Sequence, residues 1–119
     1  YGDHYDVVPI NSFTKKFAPL YKSHKDYGFV EPIKYFDKAI GISEIIRDYN
    51  DQSNNSFYLT SLKKKTLYKI MFDEEFNFIK IYDEILLSER LRDIIYDEEN
   101  SCYYIYAEST PKLISMCYK

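Results

Sequence analysis

The sequence predicts an all-β fold of antiparallel four-stranded meanders. Three observations carry that expectation. Of 119 residues, 14 are Tyr and 8 are Phe, side chains that suit the half-buried pleated surface of a sheet. From residue 42 onward, short apolar stretches alternate with polar clusters of the kind that end strands. Finally, Leu67, Lys69 and Met71 interleave with Tyr68, Ile70 and Phe72, a period-two pattern that is partly apolar on both faces. Such a strand fits a sheet stacked between neighbours better than one with a wet face.

The elements follow in order. Residues 1–41 hold all three glycines and every proline except Pro111, and read as irregular connecting chain. Val7–Ser12 reads as extended chain and turn, Phe17–Lys25 has no period, and Pro32 demotes Phe29–Phe36 to an edge or connector. Residues 42–119 read as strands near Ile42–Tyr49, Phe57–Leu62, Thr66–Phe72, Phe76–Tyr82, Leu91–Tyr96, Cys102–Ala107 and Lys112–Cys117. Polar turns at Asn50–Asn55, Lys63–Lys65, Asp73–Glu75, Asp97–Asn100 and Glu108–Pro111 separate them. The stretch Glu84–Arg92 is open between one helical turn and an irregular approach to the next strand. Evenly spaced antiparallel hairpins suit a sandwich, a barrel or propeller blades, and periodicity alone does not choose among these. Read as blades, the first four strands make one unit and the last three leave a second unit one strand short.

Composition narrows the chemistry. The chain is 45% hydrophobic and 29% charged, as globular domains are, and no apolar run approaches the ~20 residues of a membrane helix. Its net charge of −3 argues against an electrostatic nucleic-acid binder. Tyr1-Gly2-Asp3-His4-Tyr5 lacks the pattern of a signal peptide. Gly2, Gly28 and Gly41 are too dispersed for a phosphate-binding glycine loop. His4 and His24 lack zinc spacing, and no nucleophile elbow occurs. The acidic turns Asp73–Glu75 and Asp97–Asn100 lack the regular calcium-loop pattern and read as solvated turns. Tyr103-Tyr104-Ile105-Tyr106 reads first as core and cross-strand packing, with stacking on a sugar or base as the alternative.

Several segments, taken in order, resemble a known family: Ser61-Leu62-Lys63, Leu67-Tyr68-Lys69-Ile70, Arg90-Leu91-Arg92-Asp93-Ile94, Asp97 and Tyr103-Tyr104-Ile105-Tyr106. Together they are similar to the C-terminal part of the soluble quinoprotein sugar dehydrogenases, the glucose/sorbosone (aldose sugar) dehydrogenase family. Tyr1–Asp6, Glu31-Pro32 and Ala39–Ser43 extend the likeness over nearly the whole chain. The resemblance implies about two blades of a six-bladed β-propeller, the second incomplete, cut from one larger propeller domain. It also implies pyrroloquinoline quinone (PQQ) and calcium as cofactors, oxidation of the C1 hydroxyl of an aldose to a lactone, and a periplasmic or secreted location. Lys63 stands at the S-L-K lysine, and Arg90 and Arg92 at the two arginines of R-x-R-D, so the resemblance makes these three the cofactor-binding residues. PQQ carries three carboxylates, which suit the planar fork of Arg and the point charge of Lys. Arg90 and Arg92, two apart on a strand, face one side, with Leu91 pointing into packing. The alternative for the arginines is surface ion pairing with Glu89, Asp93 or Asp97, and for Lys63 a solvated turn.

The chain also departs from the family. Lys38-Ala39 replaces a Pro-Ser/Thr pair, and Ala107-Glu108 replaces a final Thr-Asp. The family's catalytic histidine and calcium ligands have no counterpart here, so no catalytic and no metal-binding residue is assigned. These departures keep a second reading open: a non-catalytic propeller segment acting as a ligand-binding or protein-interaction module.

Two structural expectations follow. If Cys102–Ala107 pairs with Lys112–Cys117 around Glu108–Pro111, then Ala107 faces Lys112 and Cys102 faces Cys117. Direct cross-strand partners stand about 4.5–5.5 Å apart, within disulfide range, although a one-residue shift of register removes the match. Cut from its neighbours, a pair of blades exposes apolar faces and open edges, which predicts self-association.

Overall fold

A computed structural model describes residues 28–118, and the chain divides into two units, Tyr1–Asp37 and Lys38–Lys119. In the first, residues 28–37 form no helix or strand, and the Tyr35 hydroxyl donates to the Glu31 carboxylate at 2.6 Å. The readings made at Tyr1–Asp6, Val7–Ser12 and Phe17–Lys25, and at His4 and His24, lie outside the described residues.

The second unit is all-β. Its strands are β1 (Ile42–Arg47), β2 (Ser56–Ser61), β3 (Thr66–Phe72), β4 (Phe78–Leu86), β5 (Leu91–Asp97), β6 (Cys102–Ala107) and β7 (Lys112–Cys117). They form two antiparallel meanders, β1-β2-β3-β4 and β5-β6-β7. No helix among the described residues is long and apolar enough to cross a membrane.

Turn chemistry sets the boundaries. β1 ends at Arg47, not Tyr49, because the Asp48 carboxylate accepts from the Asn50 N–H at 3.0 Å and starts a turn. β4 spans Phe78–Leu86 rather than Phe76–Tyr82. Phe76 sits at φ 62° inside the turn, where Asp73 accepts from the Asn77 N–H at 2.7 Å. Two register shifts against β3 leave Ile79 and Tyr82 unpaired, so the nine residues of β4 run along the seven of β3. The segment that left helix and irregular chain open is therefore strand as far as Leu86, with Ile85 opposite Leu67.

The two sheets pack inner face to inner face. Tyr58 and Leu67 from the first meet Leu91, Ile94, Tyr103, Ile105 and Ala107 from the second. Leu67, Leu91, Tyr103 and Ile105 are fully buried, and burial of each such side chain is worth about 1.5–3 kcal/mol. Both faces of β3 are covered, as its pattern predicted: Leu67 on one, Tyr68, Ile70 and Phe72 on the other. Polar bonds tie sheet to sheet at each end. At one, the Ser43 hydroxyl donates to the Leu91 carbonyl at 2.6 Å. At the other, the Tyr103 hydroxyl donates to the Arg47 carbonyl at 3.0 Å and accepts from the Tyr49 N–H at 2.7 Å.

Cys102 and Cys117 are disulfide-bonded, with Cα atoms 4.1 Å apart. The register that allows it is the one read from the sequence: Ala107 opposite Lys112 and Cys102 opposite Cys117. The bond spans a sequence separation of 15, for which loop-closure entropy suggests about 3 kcal/mol of stabilisation. Titration of the unfolded, unreduced chain is expected to find no free thiol. Reduction is expected to lower the unfolding free energy by that amount, read as a fall in the urea midpoint, and two free thiols before reduction would refute the bridge.

Candidate functional site

The first cation of interest, Lys63, lies in the β2–β3 turn. The loop preceding β1 builds that turn. The Ile40 carbonyl accepts from the Ser61 hydroxyl and from the Lys63 N–H, the latter at 3.1 Å. Gly41 makes the approach possible: it adopts φ +68°, and a Cβ there would stand 3.1 Å from the Lys63 nitrogen. The Lys63 side chain is exposed and has no carboxylate partner among the described residues.

Arg90 and Arg92 flank the start of β5. The ladder shifts register between Leu91 and Asp93, and this bulge turns both Arg92 and Asp93 outward while Leu91 stays fully buried. The two guanidiniums converge on one carboxylate. Arg90 Nε lies 2.7 Å from Glu108 Oε1 and Arg92 Nε 3.0 Å from Glu108 Oε2. The backbone sets this up, since the Glu108 N–H donates to the Arg90 carbonyl at 2.9 Å and the Ser109 hydroxyl accepts from the Arg90 N–H at 3.1 Å. Arg90, with Arg92 beside it, holds the Glu108 carboxyl below the usual carboxylate range.

The arginines therefore share a side, as their spacing predicted, but their partner differs from the acids near them in sequence. Glu89 instead pairs with Lys112 at 2.8 Å and accepts from the Thr110 hydroxyl at 2.7 Å, which holds its carboxyl down at about 2. Asp97 accepts from the Glu99 N–H and the Asn100 side chain within its own turn. The Asp93 carboxylate accepts from the Ile94 N–H. The Ser43–Leu91 bond brings the starts of β1 and β5 together, so Lys63, Arg90, Arg92 and Glu108 all belong to one end of the two-sheet stack.

A second polar cluster occupies the other end, and local sequence gave little sign of it. Asp48, itself buried, pairs with Lys69 at 2.6 Å. The Lys69 ammonium lies 5.6 Å from the centres of both the Tyr58 and Tyr82 rings. The Tyr58 and Tyr118 hydroxyls bond to each other. Tyr103 packs edge-on to Tyr58, and Tyr96 stacks on Tyr49 with ring centres 4.5 Å apart. Burial pushes the Tyr58 and Tyr103 phenols well above their ordinary range. Both phenols keep their protons at neutral pH, and Tyr103 is core, as its strand pattern suggested. Tyr104 and Tyr106 lie on the opposite, outer face with Asp93, Ile95 and Leu113. No group of three or more His, Cys, Asp or Glu side chains among the described residues is placed to hold a metal ion.

No protein-family profile, curated protein or solved structure matches the chain.

Proposed function

We propose that this chain is two consecutive blades of a PQQ-binding propeller of the soluble quinoprotein sugar dehydrogenase type, with Arg90, Arg92 and Lys63 holding carboxylates of the cofactor. The observation that carries this reading is the Arg90–Glu108–Arg92 cluster. Glu108 is itself a carboxylate, and it shows that the two guanidiniums converge at a spacing that grips one. Each arginine spends its Nε on Glu108, which leaves the terminal N–H donors of both forks for a second anion. Lys63, at the same end and without a carboxylate partner among the described residues, adds a third positive charge. The blade reading draws on the stacking of successive meanders through their first strands, β1 against β5. The Cys102–Cys117 bond suits an oxidising location outside the cytoplasm.

PQQ, when bound, supplies the two-electron oxidation of the aldose C1 hydroxyl. The residues of this chain bind and orient it, and the base that takes the substrate proton belongs to another part of the protein. Direct PQQ titration of the chain, followed by equilibrium dialysis, tests the assignment. The Arg90→Ala and Arg92→Ala substitutions are each expected to weaken binding roughly tenfold or more, from the loss of a charge-assisted hydrogen bond. Lys63→Ala should have a smaller effect. Absence of PQQ binding, or affinity unchanged in both arginine variants, refutes the assignment. One observation favours the non-catalytic module instead: Glu108 already neutralises part of the arginine pair. On that reading PQQ leaves the chain untouched and Glu108→Gln changes only stability.

A further inference from the structure

β7 is the outer strand of a three-stranded sheet, and the phase of its hydrogen bonds fixes what its free edge offers. The Tyr118 N–H donates to the Ser101 carbonyl at 3.1 Å, so residues 118 and 101 form a hydrogen-bonded pair. Counting back in the observed register, Met116, Ile114 and Lys112 also turn their backbone groups toward β6. The alternate residues Leu113, Ser115 and Cys117 therefore point their N–H and C=O groups away from the sheet. Among the described residues nothing pairs with them. Cys102 and Cys117 occupy one of the closer, non-hydrogen-bonded positions, consistent with their bond.

Free edges are commonly blunted by a charge, a proline or a bulge. β7 has none of these between Leu113 and Cys117, and its ladder with β6 runs without a shift. Its one charge, Lys112, sits at the end and is drawn aside to Glu89. The disulfide pins β7 to β6, so an incoming strand adds to the edge rather than displacing it. The face beside the edge is apolar and open, with Leu113 at 71% and Ile95 at 58% exposure.

We infer that β7 is a strand-addition edge whose occupant is β7 of a second copy of this chain. The edge is complementary to itself. A two-fold axis through Ser115 sets Ser115 opposite Ser115 of the copy and Leu113 opposite Cys117 of the copy, so outward N–H groups meet outward C=O groups throughout. Ile114 then meets Met116 of the copy on the inner face, and no like charges oppose each other within the paired stretch. The product is one continuous sheet running β5-β6-β7 and back through β7-β6-β5 of the partner. Lys63, Arg90 and Arg92 take no part in it, so anion binding and pairing of the edge are read by separate experiments.

Sedimentation velocity of the 119-residue chain over a wide concentration range is the test. The mass is expected to rise from 14.3 kDa to twice that value. Ser115→Pro removes an outward N–H without touching the β6 ladder, a position where an edge strand tolerates proline. This variant is expected to stay at the single-chain mass while keeping its far-ultraviolet circular dichroism and showing no free thiol. Ser115→Ala, which leaves the backbone intact, should pair like the parent. If Ser115→Pro fails to fold, the double variant Leu113→Lys, Ser115→Lys places like charges across the axis and should be a single chain. A parent chain that keeps its single-chain mass throughout overturns the proposal. So does a doubled mass that survives in the folded edge variants.

Discussion

Tyr103→Ala is expected to cost about 3–5 kcal/mol, the range for emptying a large aromatic site in a packed core. Tyr103 is fully buried and touches both sheets. Its ring packs against Tyr58 and Tyr96, and its hydroxyl serves the Arg47 carbonyl and the Tyr49 N–H. Such a loss consumes much of the ~5–15 kcal/mol that holds a domain together, so the variant should be largely unfolded at modest urea. Tyr103→Phe separates the ring from the hydroxyl. It preserves the packing and strands two backbone groups, for about 1–3 kcal/mol. Urea unfolding followed by circular dichroism reads both. A Tyr103→Phe midpoint matching the parent would show that the hydroxyl does not fasten the sheets.

The second large effect is at Asp48. Asp48→Ala leaves the Lys69 ammonium without its carboxylate and the Asn50 N–H without its acceptor. Breaking a buried pair from one side costs about 3–5 kcal/mol, and because Lys69 keeps some contact with water the lower end applies. Replacing both partners, Asp48→Leu with Lys69→Met, is expected to recover most of the loss, since no isolated charge then remains. The pair also sets a dependence on pH. Burial of Lys69 opposes its charge, but the hydrogen bond and charge of Asp48 outweigh this and raise its pKa. A raised lysine pKa stabilises the folded chain fully below the unfolded value, near 10.4, and that stability disappears as pH climbs through the folded value. The gap between parent and Asp48→Ala stabilities should therefore narrow in strong alkali, leaving the part owed to the Asn50 N–H. A constant difference there would show that charge is not the source.

How much of this was legible depended on the distance over which each feature acts. Strand positions came from neighbours in sequence: apolar runs broken by Asn50–Asn55, Lys63–Lys65 or Asp97–Asn100 mark β1–β3 and β5–β7 to within a residue or two. The hairpin arithmetic that set Cys102 opposite Cys117 is equally local, because a tight turn transmits register without slack. β4 departs most from its expected span, starting two residues later and running four residues further. Phe76 is a turn residue in spite of its β propensity, and two bulges have no signature in side-chain alternation. The Asp48–Lys69 pair joins β3 to the turn after β1 and depends on how the strands twist together, which local sequence does not reveal. At the candidate site, the shared side of Arg90 and Arg92 follows from their spacing. Glu108 reaches them only because β6 ends beside the start of β5. The acid at position 108, where the resemblance expects Thr-Asp to end, was the one signal available.

The meander order has a consequence for the rate at which the chain folds. Among the described residues, each strand pairs with its neighbours in sequence, so each ladder closes over a short loop and little entropy is lost in forming it. Hairpins of this kind form in about 1–10 μs. The long-range step is the meeting of the two finished sheets, when Ser43 reaches Leu91 and Tyr103 reaches Arg47. If that meeting forms the barrier, Tyr103→Phe should slow refolding in stopped-flow mixing, and an unchanged refolding rate would place the docking after the barrier.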